Sequence, residues 1–179
     1  MKRKITLPLL LLLTLFLVAC AAPAQEEKPA AKTGGVLSDF TTTDLDNQAL
    51  DQSVFAGKKL TMVNIWTTYC GYCLHEMPAL GQLNQEYADR GFQVIGIPLD
   101  ANSTSSIQTA KEIVEKTNAD YLHLLPSQSL VEAKLNQVTY VPETFFVDEN
   151  GAQVGQKYVG PKDKQDWAQI IEQLLEQEK

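Results

Sequence analysis

Cys70-Gly71-Tyr72-Cys73 stands where two different periodicities meet. Upstream, Leu60-Thr61-Met62-Val63-Asn64-Ile65-Trp66 is rich in β-branched and aromatic residues and nearly continuous in apolar character, the pattern of a strand covered on both faces. Downstream, Met77, Leu80, Leu83 and Tyr87 recur at spacings of three and four, one face of a helix. Cys70 therefore falls where a strand ends and a helix begins, beside unpaired backbone N–H groups and the positive end of the helix dipole. That setting favours a thiolate and lowers a thiol pKa whose free value is about 8.5. Cys73, one helical turn further in, is placed to close onto Cys70 after a first nucleophilic attack. The pairing implies disulfide exchange, with Cys70 attacking and Cys73 resolving.

The flanking sequence reads as one α/β domain. Phe40 to Leu45 and Ala49 to Asp51 flank a polar Asp46-Asn47-Gln48 turn, a small hairpin. The helix after Cys73 runs to about Asp89 and ends at Arg90-Gly91, with Pro78 expected to kink or break it. Phe92 to Asp100 is a second buried strand, so strand, helix and strand make a parallel βαβ unit. A helix from about Ser106 to Lys116 follows, then a short strand over Asp120 to Leu125 and a short helix over Ser129 to Leu135. Thr139 to Asp148 and Ala152 to Val159 flank Asp148-Glu149-Asn150-Gly151 as an antiparallel hairpin. The last helix, about Lys162 to Glu178, turns Trp167, Ile170, Ile171, Leu174 and Leu175 to one side. A parallel unit joined to an antiparallel hairpin predicts a central mixed sheet flanked by helices.

The N-terminus is of another kind. Lys2, Arg3 and Lys4 precede an apolar run, Ile5 to Val18, that is too short for a typical membrane-spanning helix and suits a signal h-region. Leu17-Val18-Ala19-Cys20 resembles a bacterial lipobox, in which the cysteine is lipidated and becomes the new N-terminus. Ala19 and Ala22 also suit ordinary secretory cleavage, with Cys20 then incidental. The lipid reading accounts for the odd cysteine of three. Residues 1–19 are thus expected to be a signal peptide, 20–35 a lipidated cysteine and flexible tether, and 36–179 the folded domain. Cleavage would take three of the 15 Lys and Arg and none of the 22 Asp and Glu, leaving the surface more acidic than the formal −7 of the whole chain. Such a surface argues against nucleic acid as a partner. Attachment to a cell membrane, facing the extracytoplasmic side, would rest on lipid at Cys20, and stable anchoring takes more than one acyl chain.

With Trp66 ahead of the cysteine pair, Glu76 and Pro78 after it, an extra helix and strand between about Ser106 and Leu125, and Val141-Pro142-Glu143-Thr144-Phe145 later, the chain resembles the thioredoxin superfamily. The closer likeness is to its membrane-tethered TlpA and ResA branch, over roughly residues 36 to 179. The resemblance implies a thioredoxin-like fold with an N-terminal hairpin and an inserted helix-strand element. It implies a cis bond at Pro142 against the cysteines, and peptide docking beside it. Trp66, Tyr69, Tyr72, Val141 and Glu143 are the residues expected to meet substrate. It also implies that Glu76 relays protons. Asn64 stands where ordinary thioredoxins carry an aspartate and cannot accept a proton, so a base there must be Glu76 or water. A solvated helix carboxylate is the other reading of Glu76. The implied catalytic set is Cys70, Cys73, Glu76 and Pro142, with no cofactor beyond the Cys70–Cys73 disulfide. The implied partners are exported proteins with disulfides or oxidised cysteines, in cytochrome c maturation or methionine sulfoxide reductase recycling, and a membrane electron donor of the CcdA or DsbD type.

Two other uses of the pair remain open on sequence. A copper- or zinc-binding module would need about four ligands, and Cys70, Cys73, His75 and His123 are what the mature domain offers. His75 lies two positions past Cys73 on the helix and turns away from it. A purely structural disulfide closes so small a loop that it adds little by chain entropy. No metal is expected.

Overall fold

The computed structural model describes residues 36–177. The signal segment, Cys20 and the tether, expected within residues 1–35, lie outside them. A two-stranded antiparallel hairpin opens the domain, β1 (Thr41–Thr43) with β2 (Ala49–Asp51). Its turn is held by Asp44, whose Oδ1 accepts from the Asp46 and Gln48 N–H groups at 2.9 Å each.

The main sheet has five strands in the order β5-β4-β3-β6-β7. Its centre is β3 (Leu60–Trp66), every residue of which is buried. It runs parallel to β4 (Phe92–Pro98), with Asn64 opposite Gly96, and antiparallel to β6 (Glu143–Val147), with Asn64 opposite Thr144. The crossover between β3 and β4 is α1 (Gly71–Glu86), followed by a 3₁₀ turn that Gly91 ends in the left-handed conformation. The inserted element is α2 (Thr104–Thr117) and β5 (Leu122–His123), the latter parallel to β4. Then come α3 (Gln128–Ala133), β6, β7 (Gln153–Val159) and α4 (Lys164–Gln177). Between β6 and β7 the register shifts across Thr144/Phe146, and Gly155, at φ +69°, lies among the extra residues on the β7 side.

Alternation along β3 divides the core. Leu60, Met62 and Trp66 pack on one face with Met77, Leu80 and Leu83 of α1 and Trp167, Ile171 and Leu174 of α4. Val63 and Ile65 pack on the other with Leu37, Phe40 and Phe55 from the N-terminal segment and Leu130 and Leu135. A strand so covered has no wet face, which is why its sequence lacks a polar stripe.

Several boundaries differ from the sequence expectation. Pro78 does not break α1, which continues through it to Glu86. One hydrogen bond is lost there, but Met77, Leu80 and Leu83 are all buried against the sheet and hold both halves to one surface. The strand expected over 120–125 is only Leu122–His123: Leu124 N–H still donates to Gly96 O of β4 at 2.9 Å, but Leu124 already bridges to Asp44, and Leu125 has turned to the N-terminal hairpin, its N–H donating to Thr43 O at 2.8 Å. Helix α2 starts at Thr104, earlier than Ser106, since Ser103 is the N-cap and forms a reciprocal capping box with Ser106. The strand expected from Thr139 begins only at Glu143, leaving 139–142 as a loop at the sheet's end.

Candidate active site

At the end of β3 the chain turns through Thr67, Thr68 and Tyr69 into α1, and two anchors set that turn. Leu99 N–H donates to Trp66 O at 2.8 Å. Asp100, just past β4, accepts from Thr68 N–H at 3.0 Å and from Thr68 Oγ1 at 2.5 Å. Cys70 is then the N-cap of α1, its Sγ accepting from Cys73 N–H at 3.1 Å, so the sulfur itself meets one of the helix's unpaired donors. Cys70 is half-buried and Cys73 is 1% exposed, and the two are joined as a disulfide. The asymmetry is chemical: only the first sulfur is open to an incoming molecule.

The loop before β6 lies across the pair. Cys70 Sγ is 3.7 Å from the Val141 carbonyl oxygen, to which a reduced thiol there would donate. The Val141–Pro142 bond is cis, and Pro142 O accepts from Gly160 N–H at 2.9 Å. Around this end stand all four large, strongly exposed apolar side chains of the described residues: Tyr69, Tyr72, Tyr140 and Val159. Tyr140 was not singled out from sequence, where a tyrosine two residues before a proline carries no sign of exposure.

Two residues expected to meet substrate do not. Trp66 and Glu143 are each 0% exposed, so their side chains cannot line a docking surface. Trp66 packs edge-on to His123 in the core. Glu143 accepts from Lys134 Nζ at 2.5 Å and from Lys157 Nζ at 3.0 Å, a buried ion pair extended to the surface. Burial pushes its carboxyl up, and the two lysines more than offset this, leaving it below the ordinary carboxylate value.

Glu76 is buried at 3% exposure, one turn of α1 beyond Cys73. Of the two sequence readings, the solvated carboxylate is excluded. Its Oε1 accepts from Asn64 Nδ2 at 2.9 Å; its Oε2 accepts from Lys162 N–H at 2.9 Å and Trp167 Nε1–H at 3.4 Å. Burial raises its pKa above the ordinary carboxylate value, and those three donors with the Lys162 charge pull it only part of the way back. A buried carboxyl with raised proton affinity beside a thiol pair is suited to holding a proton that a solvated one would shed.

The two histidines lie apart from each other's chemistry. His75 is exposed on α1, while His123 is buried, with Nε2 on Ala119 O at 3.1 Å and its ring stacked on Tyr121. Burial holds the His123 pKa down at about 4, so the ring is neutral at physiological pH. Among the described residues no group of three or more His, Cys, Asp and Glu is arranged to hold a metal ion, and no helix is long and apolar enough to cross a membrane.

Comparison with known proteins agrees with this geometry. The Redoxin family model matches residues 26–174. The chain is 28% identical over 148 residues to the thiol-disulfide oxidoreductase ResA of Geobacillus kaustophilus, covering 83% of this chain and 81% of that one. It is 30% identical over 138 residues to the thioredoxin-like protein YneN of Bacillus subtilis, covering 75% of each. Among solved structures, a thioredoxin-family thiol:disulfide interchange protein from Chlorobium tepidum superposes with a TM-score of 0.68 at 25% identity, over 83% of this chain and 99% of its own. The chain belongs to the Redoxin family and is a thioredoxin-like, Cys-x-x-Cys thiol-disulfide oxidoreductase akin to ResA.

Proposed function

We propose that the protein is a lipid-anchored, extracytoplasmic reductant of disulfides in exported proteins. The observation that carries the exchange chemistry in this reading is the asymmetry of the pair, a half-exposed Cys70 on the helix N-terminus in front of a buried Cys73 and a buried Glu76. Reduced Cys70, as thiolate, attacks one sulfur of a partner disulfide; the Cys70–partner bond forms, the partner's S–S bond breaks, and its other sulfur leaves as a thiolate. Cys73 gives its proton to Glu76 and attacks Cys70 Sγ, releasing the partner's second thiolate. Two electrons pass to the partner and the enzyme is left as the Cys70–Cys73 disulfide. A membrane donor of the CcdA or DsbD type would return those electrons. The likeness to ResA, and to the thiol:disulfide interchange protein DsbE of Vibrio cholerae, 27% identical over 145 residues, supports thiol-disulfide exchange as the chemistry. The partners proposed are apocytochrome c or an extracytoplasmic methionine sulfoxide reductase, with Tyr69, Tyr72 and Val141 meeting them.

The test is trapping. Cys73→Ser should accumulate partner chains linked through Cys70, released by reductant and visible on non-reducing gels. No linked species in envelope fractions would overturn the exchange reading. The direction is checked by equilibrating the protein against a thiol buffer: a potential near thioredoxin's, about −270 mV, fits a reductant, and one near DsbA's, about −120 mV, an oxidant.

A further inference from the structure

The groups that hold Glu76 do not treat its two oxygens alike. Oε2 accepts from the Lys162 backbone N–H and the Trp167 indole N–H, and neither donor has an acceptor form. A hydrogen on Oε2 would point at one of them, so protonated Glu76 carries its hydrogen on Oε1. Yet Oε1 faces the amide nitrogen of Asn64 at 2.9 Å, also a donor as placed. The same Nδ2 gives its other hydrogen to Thr144 Oγ1 at 2.9 Å, while Asn64 Oδ1 is buried with no hydrogen-bond partner among the described residues. A fully buried amide, 0% exposed, thus spends both donors on one side and leaves its acceptor idle.

We propose that Asn64 is a positioning residue for the proton on Glu76, and that its side-chain amide turns over when Glu76 is protonated. With Glu76 ionised, Nδ2 donates to Oε1 and to Thr144 Oγ1. When Oε1 gains a proton, a half-turn about the Asn64 Cβ–Cγ bond brings Oδ1 to the same two neighbours. Oε1–H then donates to one lone pair of Oδ1, and the Thr144 hydroxyl, able to donate as well as accept, donates to the other. One proton has been added and two hydrogen bonds are kept. The idle end of the amide is Oδ1 in one state and Nδ2 in the other, so each state leaves one end of the amide unpaired while Glu76 and Thr144 keep their partner. A carboxyl fixed among donors alone would resist protonation; this one has a neighbour that serves both of its states.

The inference rests on Glu76 as the proton acceptor of the exchange reaction. The titratable groups around Glu76 are the Lys162 ammonium before α4, the Tyr121 phenol before β5, and the Cys73 thiol on its own helix once reduced. Tyr121 is held neutral, since burial raises its pKa well above the ordinary tyrosine value.

Nuclear magnetic resonance on the reduced protein tests the turnover without any assay of exchange. The Glu76 carboxyl carbon reports its protonation, and nuclear Overhauser contacts from the Asn64 amide hydrogens to the Thr144 side chain report the amide's orientation. The contacts should be present above the Glu76 midpoint and lost below it. In Asn64→Ala, which removes a partner of both states, the Glu76 acid constant should change by less than about threefold; a fixed donor serving the carboxylate alone predicts a fall of about tenfold or more. Contacts that persist when Glu76 is protonated overturn the proposal, and the wild-type measurement decides it even where the variant fails to fold. Glu76→Gln separates the two readings. An unchanged exchange rate and pH profile there would remove Glu76 from proton transfer, while the orientations of Asn64 would still be decided by the contacts.

Discussion

His123 shows how a single buried side chain couples the fold to pH. One ring nitrogen is engaged by Ala119 O, and burial lowers its pKa from 6.5 to about 4. The unfolded chain therefore binds a proton at a pH where the folded one does not. The stability His123 contributes is complete above 6.5 and drains away as pH falls through 6.5 toward about 4. The expected loss is on the order of 3 kcal/mol by the lower value, read from denaturant midpoints across that range. His123→Phe should flatten this part of the curve. Glu143 has the opposite chemistry and the same direction: its pKa is lowered, so the stability it contributes is present above the ordinary carboxylate value and lost as pH falls through its lowered one. Glu143→Gln strands Lys134, whose side chain is only 6% exposed, and should cost about 3 kcal/mol at neutral pH by chemical denaturation. Neither role is legible in sequence, where a glutamate after a proline reads as part of a docking loop and a histidine in a short strand reads as structural or as one candidate metal ligand.

At the scale of elements, close approach decides what the strands can carry. Gly96 of β4 is paired with His123 of β5, and a Cβ on Gly96 would lie 2.2 Å from His123 Nδ1. The imidazole cannot step aside, because Tyr121 stacks on it and Trp66 meets it edge-on. Gly96→Ala should therefore destabilise the domain by about 1–3 kcal/mol, and adding His123→Ala should recover much of that in a double-mutant cycle. A cycle in which the two costs simply add would show that the contact is not what demands glycine. Helix α1 makes the complementary point. Its start was legible from the change of period at Cys70, and its apolar face from Met77, Leu80 and Leu83. Its unbroken passage through Pro78 was not, because a lost local hydrogen bond was outweighed by burial that only the packed sheet provides. Asp100, which ties down the loop before Cys70, was missed for a like reason: its partner Thr68 is 32 residues away.

For the whole molecule, the described residues build a five-stranded main sheet with α1, α2 and α4 on one face and the N-terminal segment with α3 on the other, and the reactive pair opens at one end of it. The proposed anchor is a lipid at Cys20. Cys20→Ala should move the protein from membrane to soluble fractions on cell fractionation without changing the thiol-exchange rate of the purified chain; retention in the membrane would rule out lipid at Cys20 as the anchor. The amino-acid order was enough to settle the mixed α/β class, the hairpins, the βαβ unit and Cys70 at a helix start, because these follow from periodicities and turn residues that act within a few positions along the chain. Folding alone decided that Glu76 is buried rather than solvated, that Trp66 and Glu143 are sealed from substrate, and that Asn64, Thr144, Lys162 and Trp167 converge on one carboxyl. Those facts join residues 12 to 91 positions apart, and burial and long-range hydrogen bonding exist only once the layers have packed.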